Sequence, residues 1–180
     1  IKKDIYQTYP KLKNKKNIIY CPTFRKDETE LKEHINSLIE KIDYKKYNLI
    51  IKLHPLSKIN ITDKRIFTSS FYSSLDMIMV SDYVITDYSC ILYEAGILNK
   101  PLYFYAFDYE NYNKNRSLNL DYYNDLPGIV SDNIDKILEG IDKEKYDYVK
   151  LNKFIKKYVN VDGKSCEKIY KLIKRLTNEK

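Results

Sequence analysis

The sequence predicts an α/β fold: a Rossmann-like parallel sheet with helices on both faces. Short apolar runs bounded by proline or polar residues alternate with segments whose apolar side chains recur at helical spacing. The apolar runs are continuous, which is typical of parallel strands that helices cover on both faces. A chain of 180 residues can bury one sizeable core, so we expect a single domain over residues 1–180.

Four strands and two helices are predicted in the first half of the chain. In order, they are a strand over 17–21, a helix over 27–42, strands over 47–53 and 65–67, a helix over 75–80 and a strand over 82–86. Pro22 and Pro55 stop the strands that precede them. Asp27 is placed to cap the first helix, and Glu30 lies three residues on, where a capping box requires it.

The second half is predicted to add one strand, four helices and a long loop. These are a helix over 91–98, a strand over 102–105, a loop over 106–128, a helix that Ser131 caps and that ends at 138, a helix over 143–157 and an amphipathic helix over 165–176. The loop shows little periodicity, and structureless segments of that length usually have a functional role.

The chain carries a formal net charge of +7, from 32 Lys and Arg against 25 Asp and Glu. Because the positive residues are scattered, we expect no nucleic-acid partner. The charge suits an anionic membrane surface or a phosphorylated substrate.

No apolar run approaches the roughly 18 residues of a membrane-spanning helix, and the charged segment 1–10 is unlike a signal peptide. Because the first residue is Ile1 rather than Met, we expect a piece of a longer chain.

Cysteines and histidines give no sign of a metal site. Cys21, Cys90 and Cys166 lack metal-type spacing, and His34 and His54 are far apart in the sequence. We therefore expect no metal, no cofactor and no disulfide framework. A reducing cytoplasm is the location that fits this cysteine usage.

The strongest local signal for a binding site is the turn after the strand over 82–86. Ligands of open parallel sheets bind beyond the carboxyl ends of the strands. This turn holds Thr86, Asp87, Tyr88, Ser89 and Cys90. Unpaired backbone N–H groups at a helix start, together with the hydroxyls of Thr86 and Ser89, suit a phosphate or pyrophosphate. The alternative is that Asp87 or Ser89 only caps the helix.

Other strand exits add candidate ligands. Arg25, close behind Thr23 after the first strand, can clamp a phosphate through two N–H groups. His54 and Pro55 end the second strand, where the imidazole can donate to a phosphate oxygen or simply complete the strand end. Glu94, on the helix after the turn, can accept hydrogen bonds from ribose hydroxyls or be an exposed helix residue.

Further candidates lie in the second half of the chain. Arg116 and Asp121, in the long loop, can hold polar parts of a substrate. Asp162 and Gly163 precede the last helix and can form a second anion site, or a turn and cap. Most candidates fall at one edge of the predicted sheet, and this convergence supports a common site.

Seven segments, in chain order, carry a family resemblance: 20–25 (YCPTFR), 51–55 (IKLHP), 81–89 (SDYVITDYS), 99–101 (NKP), 107–112 (FDYENY), 125–128 (DLPG) and 161–164 (VDGK). Together they resemble the nucleotide-binding half of CDP-glycerol glycerophosphotransferases, the teichoic-acid and capsule polymerases of bacteria. Because the segments cover almost the whole chain, the resemblance is far more specific than any single motif.

The resemblance implies one half of a GT-B fold, in which two Rossmann-like halves enclose the active site. This chain would be the carboxy-terminal, donor-binding half, and the N-terminal acceptor domain would be missing. His54 would contact the donor diphosphate and assist the departure of CMP, while the turn 86–89 would bind phosphate. Glu94 would reach the nucleotide or the polyol, and Arg116 and 162–163 would lie near the donor.

Two positions depart from the family pattern. Cys90 stands where the family usually has a second serine, a change that binding through the backbone N–H would tolerate. Glu94 stands where many members have aspartate. Glutamate followed by the downstream Pro101 is similar to nucleotide-sugar GT-B enzymes, which leaves the identity of the donor open.

The implied activity is transfer of a polyol phosphate from CDP-glycerol or CDP-ribitol to a growing teichoic-acid-like or capsular polymer, with release of CMP. The implied partners are this CDP-linked donor and a polymer or lipid-linked acceptor, with peripheral contact to the inner face of the cell membrane as an open expectation. The chain alone would bind the donor but turn over poorly. The alternatives are the donor domain of a nucleotide-sugar GT-B glycosyltransferase and a non-catalytic basic interaction module.

Overall fold

A parallel β-sheet forms the centre of the structure, a computed structural model that describes residues 1–159 and 162–177. Within those residues the sheet has six strands: β1 (Lys16–Cys21), β2 (Tyr47–Ile51), β3 (Ile66–Phe67), β4 (Tyr83–Thr86), β5 (Leu102–Tyr105) and β6 (Val130–Ser131). Their spatial order is β3-β2-β1-β4-β5-β6, and every neighbouring pair is parallel. This is the doubly wound Rossmann order, whose direction reverses between β1 and β4.

Helices cover both faces of the sheet, which confirms the predicted fold class. They are α1 (Lys2–Thr8), α2 (Thr29–Lys41), α3 (Ser74–Met79), α4 (Ile91–Ile97), α5 (Tyr109–Arg116), α6 (Ile134–Asp142), α7 (Tyr148–Tyr158) and α8 (Ser165–Leu176), with a 3-10 helix over Pro10–Lys13. One apolar core lies between the sheet and α2 and α6. A second core lies between the opposite face and α1, α3, α4 and α7.

Alternation along the strands divides their side chains between these two cores. In β1, Ile18 and Tyr20 face α2, while Ile19 and Cys21 belong to the other core. All four side chains are buried, so the run is apolar throughout instead of alternating with polar residues. This is why continuous apolar runs in the sequence predicted the strands correctly.

The capping box predicted at the start of α2 is wrong. The helix begins at Thr29, and the carboxylate of Asp27 accepts hydrogen bonds from the amide (3.0 Å) and hydroxyl (2.7 Å) of that residue. The reciprocal bond from Glu30 that a box requires is not formed. A capping box is present instead at α3, where Ser73 and Asp76 exchange hydrogen bonds.

The segment predicted as a loop over 106–128 contains the helix α5, and β6 follows it. Helix α5 has no buried residue, so it lacks the apolar periodicity by which sequence reasoning finds helices. Ser131 belongs to β6 and not to a helix cap; Asn133 caps α6 by accepting from the amide of Asp135. Helix α7 begins at Tyr148, five residues later than predicted.

The last predicted helix is present as α8, and all of its side chains are exposed. Val161, in the last of the motifs, lies outside the described residues. Among residues 1–159 and 162–177, no helix combines the length and apolarity needed to cross a membrane.

Candidate functional site

The carboxyl ends of β1, β2, β4 and β5 form a rim that brings the predicted strand-exit residues to one edge of the sheet. The strand register fixes this arrangement: Tyr20 pairs with Ile51 on one side and Ile85 on the other, and Thr86 pairs with Phe104. The segments 22–25, 52–57, 87–90 and 106–112 therefore leave the sheet side by side. We call this edge the rim.

Asp87 is the most enclosed charged group of the rim, with a side chain that is 0% exposed. Its carboxylate accepts from the amide (2.8 Å) and the hydroxyl (2.6 Å) of Thr23, and from Nη2 of Arg25 (2.9 Å). Burial raises the pKa of Asp87, although Arg25 and Thr23 act in the opposite direction. These bonds connect the exit of β1 to the exit of β4.

Arg25 joins Asp87 to a second carboxylate, that of Asp108 after β5. Its Nε and Nη2 donate to Asp108 at 2.8 and 3.0 Å, and its guanidinium lies over the rings of Tyr88 (5.3 Å) and Tyr112 (5.0 Å). Burial opposes the charge of Arg25, but the hydrogen bonds and charges of the two aspartates prevail and raise its pKa. Most N–H groups of Arg25 are therefore bonded within the protein, which leaves little of the guanidinium for the phosphate clamp that the sequence predicts.

Three other predicted ligands also use their side chains within the protein. The hydroxyl of Thr86 is fully buried and donates to the carbonyl of Cys21 (2.8 Å). The hydroxyl of Thr23 donates to Asp87, and that of Tyr88 donates to Asp108 (3.0 Å). These side chains hold the rim together, which leaves the backbone of the turn and the side chains of 89 and 90 facing outward.

Ser89 and Cys90 are the accessible members of the turn. Ser89 is half-buried, and its Oγ is 3.4 Å from the amide of Ile91. Cys90 is exposed at the residue before α4. Glu94 is exposed on the same helix.

His54 is exposed at the end of β2 and held in a defined orientation. Its ring packs against Phe24 with 5.5 Å between the ring centroids, and its Nδ1 accepts the amide hydrogen of Leu56 at 3.1 Å. With Nδ1 acting as the acceptor, the neutral ring carries its hydrogen on Nε2. His54 therefore offers an oriented N–H donor to a ligand at the rim.

A cavity of about 700 Å³ lies along the residues before and after this histidine, which is not itself part of the cavity wall. Its wall includes Pro55, the segments 51–53 and 59–61, and the loop 68–71. Lys52 fixes the loop by donating to the carbonyls of Ser69 and Tyr72, and burial lowers the pKa of this lysine. The cavity has the size of a site for a small organic molecule.

The remaining predicted residues lie at the surface, and the two aspartates among them make local hydrogen bonds. Arg116 is exposed at the end of α5. Asp121 accepts from the amide (3.2 Å) and side chain (2.8 Å) of Asn124, which describes a surface turn. Asp162 accepts from the amide of Lys164 (2.9 Å), and Gly163 adopts a φ of 68°, as in the predicted turn before α8.

Sequence reasoning missed three residues that stabilise the rim. Asp108 lies three residues after the end of β5 and within the motif 107–112, so its position was an available signal. Tyr112 belongs to the same motif and stacks on Tyr88 with 3.8 Å between centroids, and the buried hydroxyl of Tyr122 donates to the carbonyl of Asp87 (2.7 Å). Tyr122 had no signal in the sequence, since 19 tyrosines are spread along the chain.

Comparisons with known proteins show which family the chain is similar to. The profile of the family described as CDP-glycerol:poly(glycerophosphate) glycerophosphotransferase matches residues 2–175. The teichoic acid ribitol-phosphate primase of Bacillus spizizenii is 32% identical over 179 residues, which cover 92% of this chain and 46% of the primase. The poly(ribitol-phosphate) polymerase of the same organism is 29% identical over 94% of this chain and 29% of its own length.

Solved structures show the same fold. The wall teichoic acid polymerase TagF superposes with a TM-score of 0.69 at 28% identity, covering 96% of this chain and 47% of TagF. A TagF variant soaked with CDPG gives a TM-score of 0.72 at 29% identity, over 99% of this chain and 47% of the variant. The UDP complex of MnaA from S. aureus, at 21% identity and a TM-score of 0.59, shares the fold alone.

The chain spans less than half the length of each of these relatives. Within that span the match runs almost from end to end, and it includes every strand of the sheet and every segment of the rim. The chain therefore belongs to the CDP-glycerol:poly(glycerophosphate) glycerophosphotransferase family.

Proposed function

We propose that this chain is the donor-binding domain of an enzyme that transfers a polyol phosphate from a CDP-linked donor to a growing teichoic-acid-like polymer, with release of CMP. The observation that carries the proposal is the exposed and oriented His54 on the same rim as the turn 87–90, with a 700 Å³ cavity along its neighbours Leu53 and Pro55. Family membership supports the chemistry, because the matched relatives are named as teichoic acid primases and polymerases.

In the proposed reaction, a hydroxyl oxygen of the acceptor attacks the β-phosphorus of the donor. The bond from that phosphorus to the bridging oxygen breaks, and CMP leaves with the bridging oxygen and the electron pair. Such transfers depend chiefly on positioning and on stabilising the charge that spreads over the phosphate oxygens. Nε2–H of His54 would donate a hydrogen bond to the bridging oxygen and stabilise its negative charge as CMP leaves.

The turn 87–90 would complete the diphosphate site. The side chain of Asp87 is occupied by Arg25 and Thr23, and the hydroxyl of Tyr88 by Asp108, so the backbone N–H groups and the hydroxyl of Ser89 are the groups that remain for a phosphate. Cys90 adds no strong donor here, which is compatible with binding through the backbone. Glu94 is exposed on α4, five residues after Ser89, and would contact the ribose or the polyol.

The acceptor and its general base belong to a further domain in this proposal. The relatives extend well beyond the matched region, and an N-terminal acceptor domain would account for the difference. The isolated chain would accordingly bind the donor and turn it over poorly. Both ribitol-phosphate and glycerol-phosphate enzymes are among the relatives, so CDP-ribitol and CDP-glycerol are the two donors to compare.

Calorimetric titration of the chain with CDP, CDP-glycerol, CDP-ribitol, UDP-sugars and CMP-sialic acid tests the proposal. We expect binding of the cytidine diphosphate compounds, weakened about tenfold or more by His54→Ala or Ser89→Ala because each removes a hydrogen bond to a charged group. His34→Gln is the matched control: it changes the chain's other histidine and should leave the affinity unchanged.

Two results would contradict the proposal. Tighter binding of UDP-sugars than of CDP compounds would favour the donor domain of a nucleotide-sugar enzyme. Binding to anionic vesicles that His54→Ala and Ser89→Ala do not alter, without any binding of nucleotides, would favour a basic interaction module.

A further inference from the structure

We propose that Arg25 is a positioning residue: it fixes the turn 87–90 against α5 and does not touch the donor. The inference rests on the proposed function and assigns to this arginine a role within the donor site. Arg25 and the residues that it connects form what we call the Arg25 network: Arg25, Thr23, Asp87, Tyr88 and Asp108.

The network links three strand exits through one side chain. Arg25 follows β1, and its carboxylate partners follow β4 and β5. These two aspartates, Asp87 and Asp108, lie 62 and 83 residues after the arginine in sequence. The side chains of Arg25 and Asp108 are each 11% exposed, and that of Asp87 is 0% exposed. Because the ions are withdrawn from water, the pairs are little weakened by solvent or salt.

Asp108 shows that the network has priority over local helix capping. It occupies the N-cap position of α5, but its side chain makes no cap hydrogen bond. The carboxylate instead accepts from Arg25 and from the hydroxyl of Tyr88. The start of α5 is thereby bonded to the turn 87–90.

Besides the network, helix α5 is attached through Tyr109, whose ring packs against that of Tyr122 with 5.4 Å between the centroids. None of its residues is buried, and Tyr112 contributes its ring to the stack on Tyr88 and to the contact with the guanidinium. The placement of α5 over the rim therefore rests on two attachments, the Arg25 network and the packing of Tyr109, and only the network bonds the helix to the side chains of the turn 87–90. A shift of α5 would also shift Tyr88 in the turn, to which it is joined by both the stack and the hydrogen bond.

A guanidinium suits this role better than an ammonium group. Its planar fork reaches two carboxylates at once, while its flat face packs on aromatic rings. A lysine at position 25 would keep the positive charge but could not span Asp87 and Asp108 in the same geometry. Arg25→Lys therefore separates the geometry of the network from its charge.

The test combines amide hydrogen exchange, which needs no ligand, with calorimetric titration by CDP. In Arg25→Lys we expect exchange to accelerate about tenfold in 87–91 and 108–116, while β2 and α6 keep the exchange rates of the unchanged chain. We expect the Kd for CDP to rise about tenfold as well. Asp108→Asn should produce the same pattern, and the double variant should be no worse than the more impaired single variant.

Arg65→Lys is the matched control. Arg65 also pairs with an aspartate, Asp63 at 2.6 Å, and lies over a tyrosine ring, that of Tyr44 at 4.6 Å. It precedes β3, so it lies at the amino ends of the strands, opposite the rim. This control should change neither the exchange in the two rim segments nor the Kd for CDP.

Several outcomes would overturn the inference. Unchanged exchange in both rim segments of Arg25→Lys would show that the network does not position them, and uniformly faster exchange would show a general structural role. Loss of CDP binding with unchanged exchange would show that Arg25 contacts the donor.

If the unchanged chain binds no CDP, the proposed function fails, and the exchange pattern still decides whether Arg25 holds α5 against the turn. Should Arg25→Lys fail to fold, Asp108→Asn decides the same question.

Discussion

Tyr20 and Tyr122 are two enclosed tyrosines whose hydroxyls have opposite surroundings. Tyr20 is 0% exposed and Tyr122 is 2% exposed. Among the described residues, the hydroxyl of Tyr20 has no hydrogen-bond partner, whereas that of Tyr122 donates to the carbonyl of Asp87. A buried polar group without a partner costs stability, and a buried hydrogen bond to a rim carbonyl supports it.

We predict that Tyr20→Phe leaves the free energy of unfolding unchanged or raises it by up to about 1 kcal/mol, because it removes the unpaired hydroxyl. Tyr122→Phe should lower the same free energy by about 1–2 kcal/mol, because it leaves the Asp87 carbonyl without its donor. Urea denaturation of the two variants beside the unchanged chain measures both effects. A loss of more than about 1 kcal/mol in Tyr20→Phe would contradict the geometry.

At the residue scale, the sequence predicted where polar side chains would gather better than what each would do. His54 and Ser89 lie at the rim and are accessible, as residues after buried strands should be. The fates of Arg25, Thr86 and Asp87 could not be predicted, because each depends on a partner many residues away. The side chains of these three residues form hydrogen bonds with other residues of the protein.

Among the secondary-structure elements, those with a clear apolar pattern were predicted well, including the exposed α8, whereas α1, α5 and β6 were missed. The strands β1, β2, β4 and β5 are continuous apolar runs, and α2 and α3 carry apolar side chains that face the cores. Helix α5 has no buried side chain, and β6 has two residues. Neither offers the periodicity on which prediction depends.

The edge strand β6 relies on a glycine at the close approach that precedes it. A Cβ at Gly128 would lie 1.8 Å from the carbonyl oxygen of Leu102, so the backbone would have to move. A Cβ at Gly96, in α4, would meet the flexible end of the Ile155 side chain at 2.4 Å. The two glycines therefore differ in how readily their surroundings can yield.

We predict that Gly128→Ala lowers the free energy of unfolding by about 3 kcal/mol and weakens the pairing of β6, since only a backbone shift relieves the overlap. Gly96→Ala, the matched control, should cost about 1 kcal/mol, because the isoleucine can change its rotamer and the alanine favours the helix. Urea midpoints report the stabilities, and amide exchange of β6 reports the pairing. Equal losses for both variants would contradict this reasoning.

Across the whole molecule, the Rossmann order explains why one rim gathers residues from so many segments. Parallel strands end on the same side, and the reversal of strand order between β1 and β4 opens a crevice there. The sequence predicted a parallel sheet with helices on both faces, because continuous apolar runs carry that information. It did not predict which strands are neighbours, since strand pairing depends on contacts between distant parts of the chain.

The central proposal is that a cytidine diphosphate ester binds between His54 and the turn 87–90. The most direct measurement is a ¹H–¹⁵N correlation spectrum of the labelled chain during titration with CDP. We predict that the largest shifts occur at the amides of 88–91 and of the segment that begins at His54, while α8 and the amino ends of the strands change little. No shifts at saturating CDP, or shifts confined to surfaces away from the rim, would contradict the claim.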